Sequence, residues 1–277
     1  MPTVDPRVQA SIDGSLSILP ELQARFDRAI AQAPPPRSRN AALLADELGE
    51  RVIHIAGMHI SSALDHVRTM AQVWATNTIP TYSLQTLART TLENALMAQW
   101  LMDSELTLPN QIARGVGAQY ADYREREKLE QDLKPRLSGR AKLAVDRRAD
   151  FMRTAEARGF AKISSEGELV PNRVLPNVTD LFNRYQTSRL PDGRRPPGST
   201  YYRIYSAFAH GKQWSQLLSD LELAQPPHGA SARLFSSSPN DGLLAGTFTR
   251  SINAIGTAVD YFCGHARAPT EEANRRH

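Results

Sequence analysis

The chain has 277 residues and a mass of 30.7 kDa, with 41% hydrophobic and 22% charged residues, enough to bury a sizeable core. A formal charge of +4 and a pI near 9.3 permit an anionic partner, but so small a charge creates no strong global field. Cys263 is the only cysteine, which excludes an internal disulfide framework and any cysteine-based zinc or iron–sulfur site within one chain, and points to a reducing compartment. The opening MPTVDPRVQASIDG lacks a basic stretch followed by an apolar one, and no run of about 18 apolar residues occurs. A soluble cytoplasmic protein with no membrane partner is therefore expected.

Apolar residues recur at helical spacing through most of the chain, which predicts an all-α fold, a multi-helix bundle. A first helix is expected over about Pro20 to Ala33, ended by Pro34, Pro35 and Pro36. The longest runs from about Asn40 to Trp74. Its apolar arc, including Leu48, Val52, Ile60, Ala63, Val67 and Met70, is wide enough for a helix at the centre of a bundle. Pro80 suits the first turn of the next helix, expected to about Met102. A helix from about Asn110 to Leu133 begins amphipathic and ends in REREKLEQDLK, whose i, i+4 charges predict an exposed surface. A basic helix over about Ser138 to Arg158 follows, closed by Gly159, then an irregular stretch from Phe160 to Pro176 and a short helix near Asn177 to Thr187. After the loop PDGRRPPG, Ser199 or Thr200 is expected to cap a core helix reaching about Leu221. ARLFSS and LLAGTF flank SPNDG, so a small β-hairpin can form near 232–247, ahead of a final helix from about Thr249 to His265. These elements are expected to form a single helical domain over 1–277. It would comprise an N-terminal helix and proline turn (1–36), a core bundle (40–221) with a basic insertion (134–198), the C-terminal helix (249–265) and a polar tail (269–277).

Charged and polar groups on apolar helices mark the candidate sites, because a buried ion without a partner costs several kcal/mol or changes its protonation. Arg89 and Glu93 share a stripe with Tyr82, Thr86, Met97 and Trp100, and form either an ion pair clamping two helices or one wall of a polar pocket. Arg203, Ser206 and His210 lie at i, i+3 and i+7 among small residues, which predicts a tight helix crossing at His210. His59 and His66 lie seven residues apart on the long helix. Histidine suits a cytosolic metal, but neither Glu-x-x-His nor His-Glu-x-x-His occurs, so no metal site is expected. Gly-x-Gly-x-x-Gly, a Walker loop and Gly-x-Ser-x-Gly are missing too, and no cofactor is expected. Cys263, near the end of an apolar helix, reads as an inert thiol.

Between Lys134 and Arg158 eight basic residues face three acidic ones, so this segment alone exceeds the balance of the whole chain. Arg140, Arg147 and Arg148 within it are candidate phosphate contacts whose binding would weaken with salt. A solvated face or an oligomer contact is the competing reading, because few aromatic residues interleave for base stacking.

Arg203, six intervening residues and His210 on one helix resemble the signature of HEPN domains, helical bundles that include metal-independent ribonucleases. The segment LARTTLENALMAQWL, with Arg89 and Glu93, is similar to the core helix of uncharacterised bacterial helical-bundle families near that group. The resemblance covers roughly Asn40 to Leu221. It implies a homodimer that binds or cleaves RNA, with His210 as acid/base, Arg203 as phosphate clamp and Ser206 as a supporting donor. Ile204 stands where ribonucleolytic members usually carry a polar residue. The chemistry needs proton transfer and an anion clamp rather than a metal. Two other readings compete with it. One is an internal polar pocket for a small molecule or metal, lined by Arg89, Glu93, His59, His66 and His210. The other is a non-enzymatic interaction or regulatory protein using the surface from Arg140 to Arg158.

Overall fold

Prolines, capping side chains and two left-handed glycines, Gly159 and Gly211, divide the helical pattern into its elements. The computed structural model describes residues 4–76, 80–132, 138–186, 197–224 and 234–265. In order these are α1 (Pro6–Leu16), α2 (Leu19–Ala31), α3 (Arg39–Leu44), α4 (Glu47–Ala75), α5 (Thr81–Met102), α6 (Leu108–Asp132), α7 (Ser138–Ala157), β1 (Ala161–Ile163), β2 (Leu169–Pro171), α8 (Val178–Tyr185), α9 (Ser199–Ala209), a 3-10 helix (Gln213–Leu218), β3 (Ser219–Ala224), β4 (Leu234–Pro239) and α10 (Asp241–His265). The all-α expectation holds, with two small antiparallel strand pairs added. No described helix is long and apolar enough to cross a membrane.

The residues gather into two compact units. The first is Met1–Arg28, His59–Met97 and Asn177–Asp260; the second is Ala29–Met58, Ala98–Pro176 and Tyr261–His277. In the first unit, Ile12, Leu22, Ile60, Leu64, Met70, Leu84, Tyr205, Phe248 and Ile255 are buried. Trp74 packs edge-on against Phe248 (5.8 Å) while its indole N–H donates to Asp13 Oδ1 (2.8 Å), so an apolar body and a polar tip are both satisfied. In the second unit, Leu43, Leu48, Val52, Ala56, Leu101, Ile112, Val116, Met152 and Phe262 are buried. Gly117 of α6 lets the Arg173 carbonyl come so close that any Cβ there would collide with it.

Several boundaries differ from those expected, each for a local reason. The helix α1 is additional: Asp5 accepts the Arg7 amide (2.7 Å) and Pro6 takes the first helical position, a start signal present in the sequence. The helix expected over Asn40 to Trp74 is two, because Asp46 Oδ1 accepts the Leu48 and Gly49 amides (both 2.9 Å) and begins α4 afresh. The charged end of α6 is exposed on one side, at Glu125, Arg126, Lys128 and Leu129, with Arg126 paired to Glu130 (2.9 Å); on the other side Glu127 and Glu130 are buried where α7 packs along it, with Tyr123 edge-on to Phe151 at 5.7 Å. The stretch expected to be irregular holds the β1–β2 pair, in register Ala161 with Pro171.

The helix expected to reach Leu221 ends at Ala209. Gly211 adopts φ +59°, the Lys212 amide donates to the Ala207 carbonyl (2.8 Å) and the Gly211 amide to the Phe208 carbonyl (3.1 Å), a Schellman stop. Its start also differs. Neither Ser199 nor Thr200 caps it; Gly198 takes that position, and Asn183 Oδ1 of α8 accepts the Ser199 amide (2.8 Å). Within 232–247, β4 forms, but its partner is β3, Ser219 opposite Pro239. Residues after it are helical because Asn240 Oδ1 accepts the Gly242 and Leu243 amides (3.0 and 3.3 Å), acting as a helix cap rather than as part of a hairpin turn.

Candidate functional site

Two turns of α5 and the end of α9 bring four polar side chains of the first unit together. Arg89 and Glu93 are one helical turn apart, so Arg89 Nε donates to Glu93 Oε1 at 2.7 Å. The rest of the guanidinium turns to α9: Nη1 lies 3.2 Å from His210 Nε2, and Nη2 donates to the Tyr202 hydroxyl at 3.3 Å. Cζ of Arg89 also stands 5.2 Å from the Tyr202 ring centroid, within cation–π range. Tyr202 is braced by Phe182 of α8 (5.4 Å), and Phe208, further along α9, by Tyr82 of α5 (6.0 Å). The side chains of Arg89 and Glu93 remain 20% and 29% exposed, so the pair is reachable from water.

His210 sits at the C-cap of α9 and is exposed, so the tight crossing expected there is not formed. An arginine has no acceptor. The contact therefore requires His210 Nε2 to accept and its proton to reside on Nδ1. Arg203 is exposed on α9 and makes no ion pair among the described residues. Ser206 is half-buried, and its carbonyl accepts the His210 amide (3.0 Å).

The remaining candidates lie apart from this group. His59 Nδ1 bonds Asn94 Oδ1 (2.7 Å), and Asn94 Nδ2 in turn donates to the Thr90 carbonyl (2.9 Å). Burial lowers the His59 imidazole below its ordinary pKa, an effect the Asn94 hydrogen bond opposes. His66 Nδ1 donates to the Ser62 carbonyl one turn back (2.7 Å). Neither histidine hydrogen-bonds Arg89, Glu93 or His210. Among the described residues no three His, Cys, Asp or Glu side chains gather as a metal ion would require.

In the second unit the basic helix α7 spends much of its charge internally. Arg148 pairs with Glu127 (3.0 Å) and stands 6.0 Å from the Tyr120 ring centroid. Arg153 pairs with Asp150 and Arg158 with Asp46. Arg147 is exposed with no ion pair among the described residues, and the side chain of Arg140 lies outside them. Tyr202 and Asn94 are the two site residues that sequence reasoning missed. Tyr202 adjoins Arg203 and precedes Ser206 by one turn, so its place on α9 was available as a signal; nothing local marks Asn94. No family model, no curated protein and no solved structure matches the chain.

Proposed function

We propose that the chain is a HEPN-like protein that binds RNA and cleaves it without a metal, working as a homodimer through the exposed group at the end of α9. The observation that carries this reading is the 3.2 Å approach of Arg89 Nη1 to His210 Nε2 at a surface open to solvent. A phosphodiester arriving at Arg89 competes for Nη1, because a charge-assisted bond to an anion is stronger than one to a neutral ring nitrogen. That exchange frees His210 Nε2 to act as a base. Nε2 takes the proton of a ribose 2′-hydroxyl, the 2′-oxygen bonds the adjacent phosphorus, the bond from phosphorus to the 5′-oxygen breaks, and the leaving oxygen takes a proton from water. Arg203 and Arg89 hold the developing negative charge, Ser206 supplies a supporting donor, and Glu93 keeps Arg89 in place.

The test is cleavage of a single-stranded RNA by the full chain in excess chelator, with light scattering for the homodimer. Wild-type protein should cleave, His210→Ala should lower the rate by at least about a hundredfold, and Arg203→Ala should weaken RNA retention in a salt-dependent way. Identical degradation by wild type and His210→Ala refutes the reading.

A further inference from the structure

A second polar cluster of the first unit lies where α10 meets α5 and α9, and among the described residues three of its buried polar atoms, Arg250 Nε, Tyr205 Oη and Gln85 Nε2, lack a well-formed hydrogen bond. Arg250 of α10 stacks on Tyr201, with Cζ 3.8 Å from the ring centroid, and its Nη1 fills the space that a Cβ on Gly246 would need. It takes part in no ion pair among the described residues, and its Nε makes no hydrogen bond. Beside it stands Tyr205 Oη, wholly buried and also without a hydrogen bond of normal geometry. Thr247, next to Tyr205, donates to the Leu243 carbonyl (2.7 Å) and lies 3.2 Å from the terminal amide of Gln85, which is wholly buried. Whichever way that amide is turned, Gln85 keeps an N–H with no acceptor.

A half-buried guanidinium with no ion pair among the described residues, and two fully buried polar groups without a well-formed hydrogen bond, are costly unless something answers them. Water is a poor answer to the net positive charge. Burial pushes the Tyr205 phenol up, so it keeps its proton and remains a donor at neutral pH. The charge inventory selects the ligand: one cation among neutral donors is balanced by a monoanion, whereas a phosphate dianion would leave an uncompensated negative charge. The free Nε edge of a guanidinium also matches the two oxygens of a carboxylate. We propose that Arg250, Tyr205 and Gln85 form a binding site for the carboxylate of a small organic acid. The site shares no residue with the α9 terminus and does not depend on the RNA reading.

Thermal unfolding and calorimetric titration of the full chain test this with acetate, pyruvate and benzoate, each compared with chloride at equal ionic strength, and with inorganic phosphate. The expected result is a saturable rise in Tm with at least one carboxylate. Arg250→Gln should weaken that carboxylate at least about tenfold, the loss of one charge-assisted contact, and Tyr205→Phe should weaken it about fivefold. The volume of Tyr205→Phe is close to that of the parent, so it keeps the question open to decision should Arg250→Gln fail to fold. No stabilisation beyond the chloride control overturns the site, as does unchanged affinity in Tyr205→Phe. Tighter Arg250-dependent binding of phosphate than of any carboxylate overturns the ligand class.

Discussion

Arg148 Nε lies 3.0 Å from Glu127 Oε1, and through this pair a residue that reads as a phosphate contact instead holds α7 to α6. The Glu127 side chain is 9% exposed, and the buried Oε1 makes no hydrogen bond, so the ion pair with Arg148 is what answers its charge. Removing the arginine therefore strands a carboxylate with little water. Arg148→Ala should cost about 2 kcal/mol in urea unfolding, part of it recovered in the double variant with Glu127→Gln. Exposed Arg147→Ala should stay within about 0.5 kcal/mol. Equal losses for the two arginines would contradict the assignment.

Asp46 serves two purposes in the second unit. Its Oδ1 caps α4, and the carboxylate receives Arg158, whose Nη1 lies 2.8 Å from Oδ1. The Arg158 hydrogen bond, with the Gly49 and Leu48 amides, holds the carboxyl below its ordinary pKa despite partial burial. The unfolded chain thus binds the proton more readily. Stability from Asp46 is complete above the ordinary carboxylate value of about 3.9 and is lost as pH falls below it toward the lowered folded value. Asp46→Ala should cost about 1–2 kcal/mol at neutral pH, and Asp46→Asn less, since an amide oxygen can still cap. Chemical unfolding between pH 3 and 7 should show a shallower acid loss in both variants.

His59 gives a pH dependence at higher values. Burial lowers its folded pKa, so between that value and the ordinary one of about 6.5 the unfolded state holds more protons. Stability should rise with pH through this window and level off above it. His59→Gln should flatten the rise. A wild-type unfolding curve with no slope between pH 5 and 7 attributable to His59 would contradict this account.

The fold was legible wherever side-chain period alone decides it. The buried positions of α4, from Leu48 through Val52, Ala56, Ile60, Ala63, Val67 and Met70, repeat at helical spacing and need no partner to be recognised. Boundaries were less legible because one residue type serves two local structures. Asn240, Asp241 and Gly242 suit a tight turn as well as a helix start, and the choice fell to the cap that Asn240 makes. The candidate site was legible in its members and not in its pairing. Arg89 and His210 stand out as polar groups on apolar helices, but that they meet each other depends on α9 stopping at Ala209. Arg250 gave no signal at all: that it stacks on Tyr201 and has no ion pair among the described residues shows only in the packing.

That stop makes the last prediction. Gly211 takes φ +59°, a conformation that costs a residue with a Cβ about 1 kcal/mol, and the turn it forms carries the Lys212 and Gly211 amides back to the last carbonyls of α9. Nothing lies within 4 Å of the position a Cβ would take, so the penalty in Gly211→Ala is conformational rather than steric. Asparagine tolerates the left-handed region better, so Gly211→Asn should lose less than Gly211→Ala, and Gly211→Val the most. His210 precedes this glycine, and its approach to Arg89 depends on the same turn. Nitrogen-15 spectra of the imidazole should therefore report the Nδ1–H form strongly in wild type and a more mixed tautomer population in Gly211→Val. Equal stability across the three variants, with an unchanged His210 spectrum, would show that the left-handed turn does not hold the imidazole against Arg89.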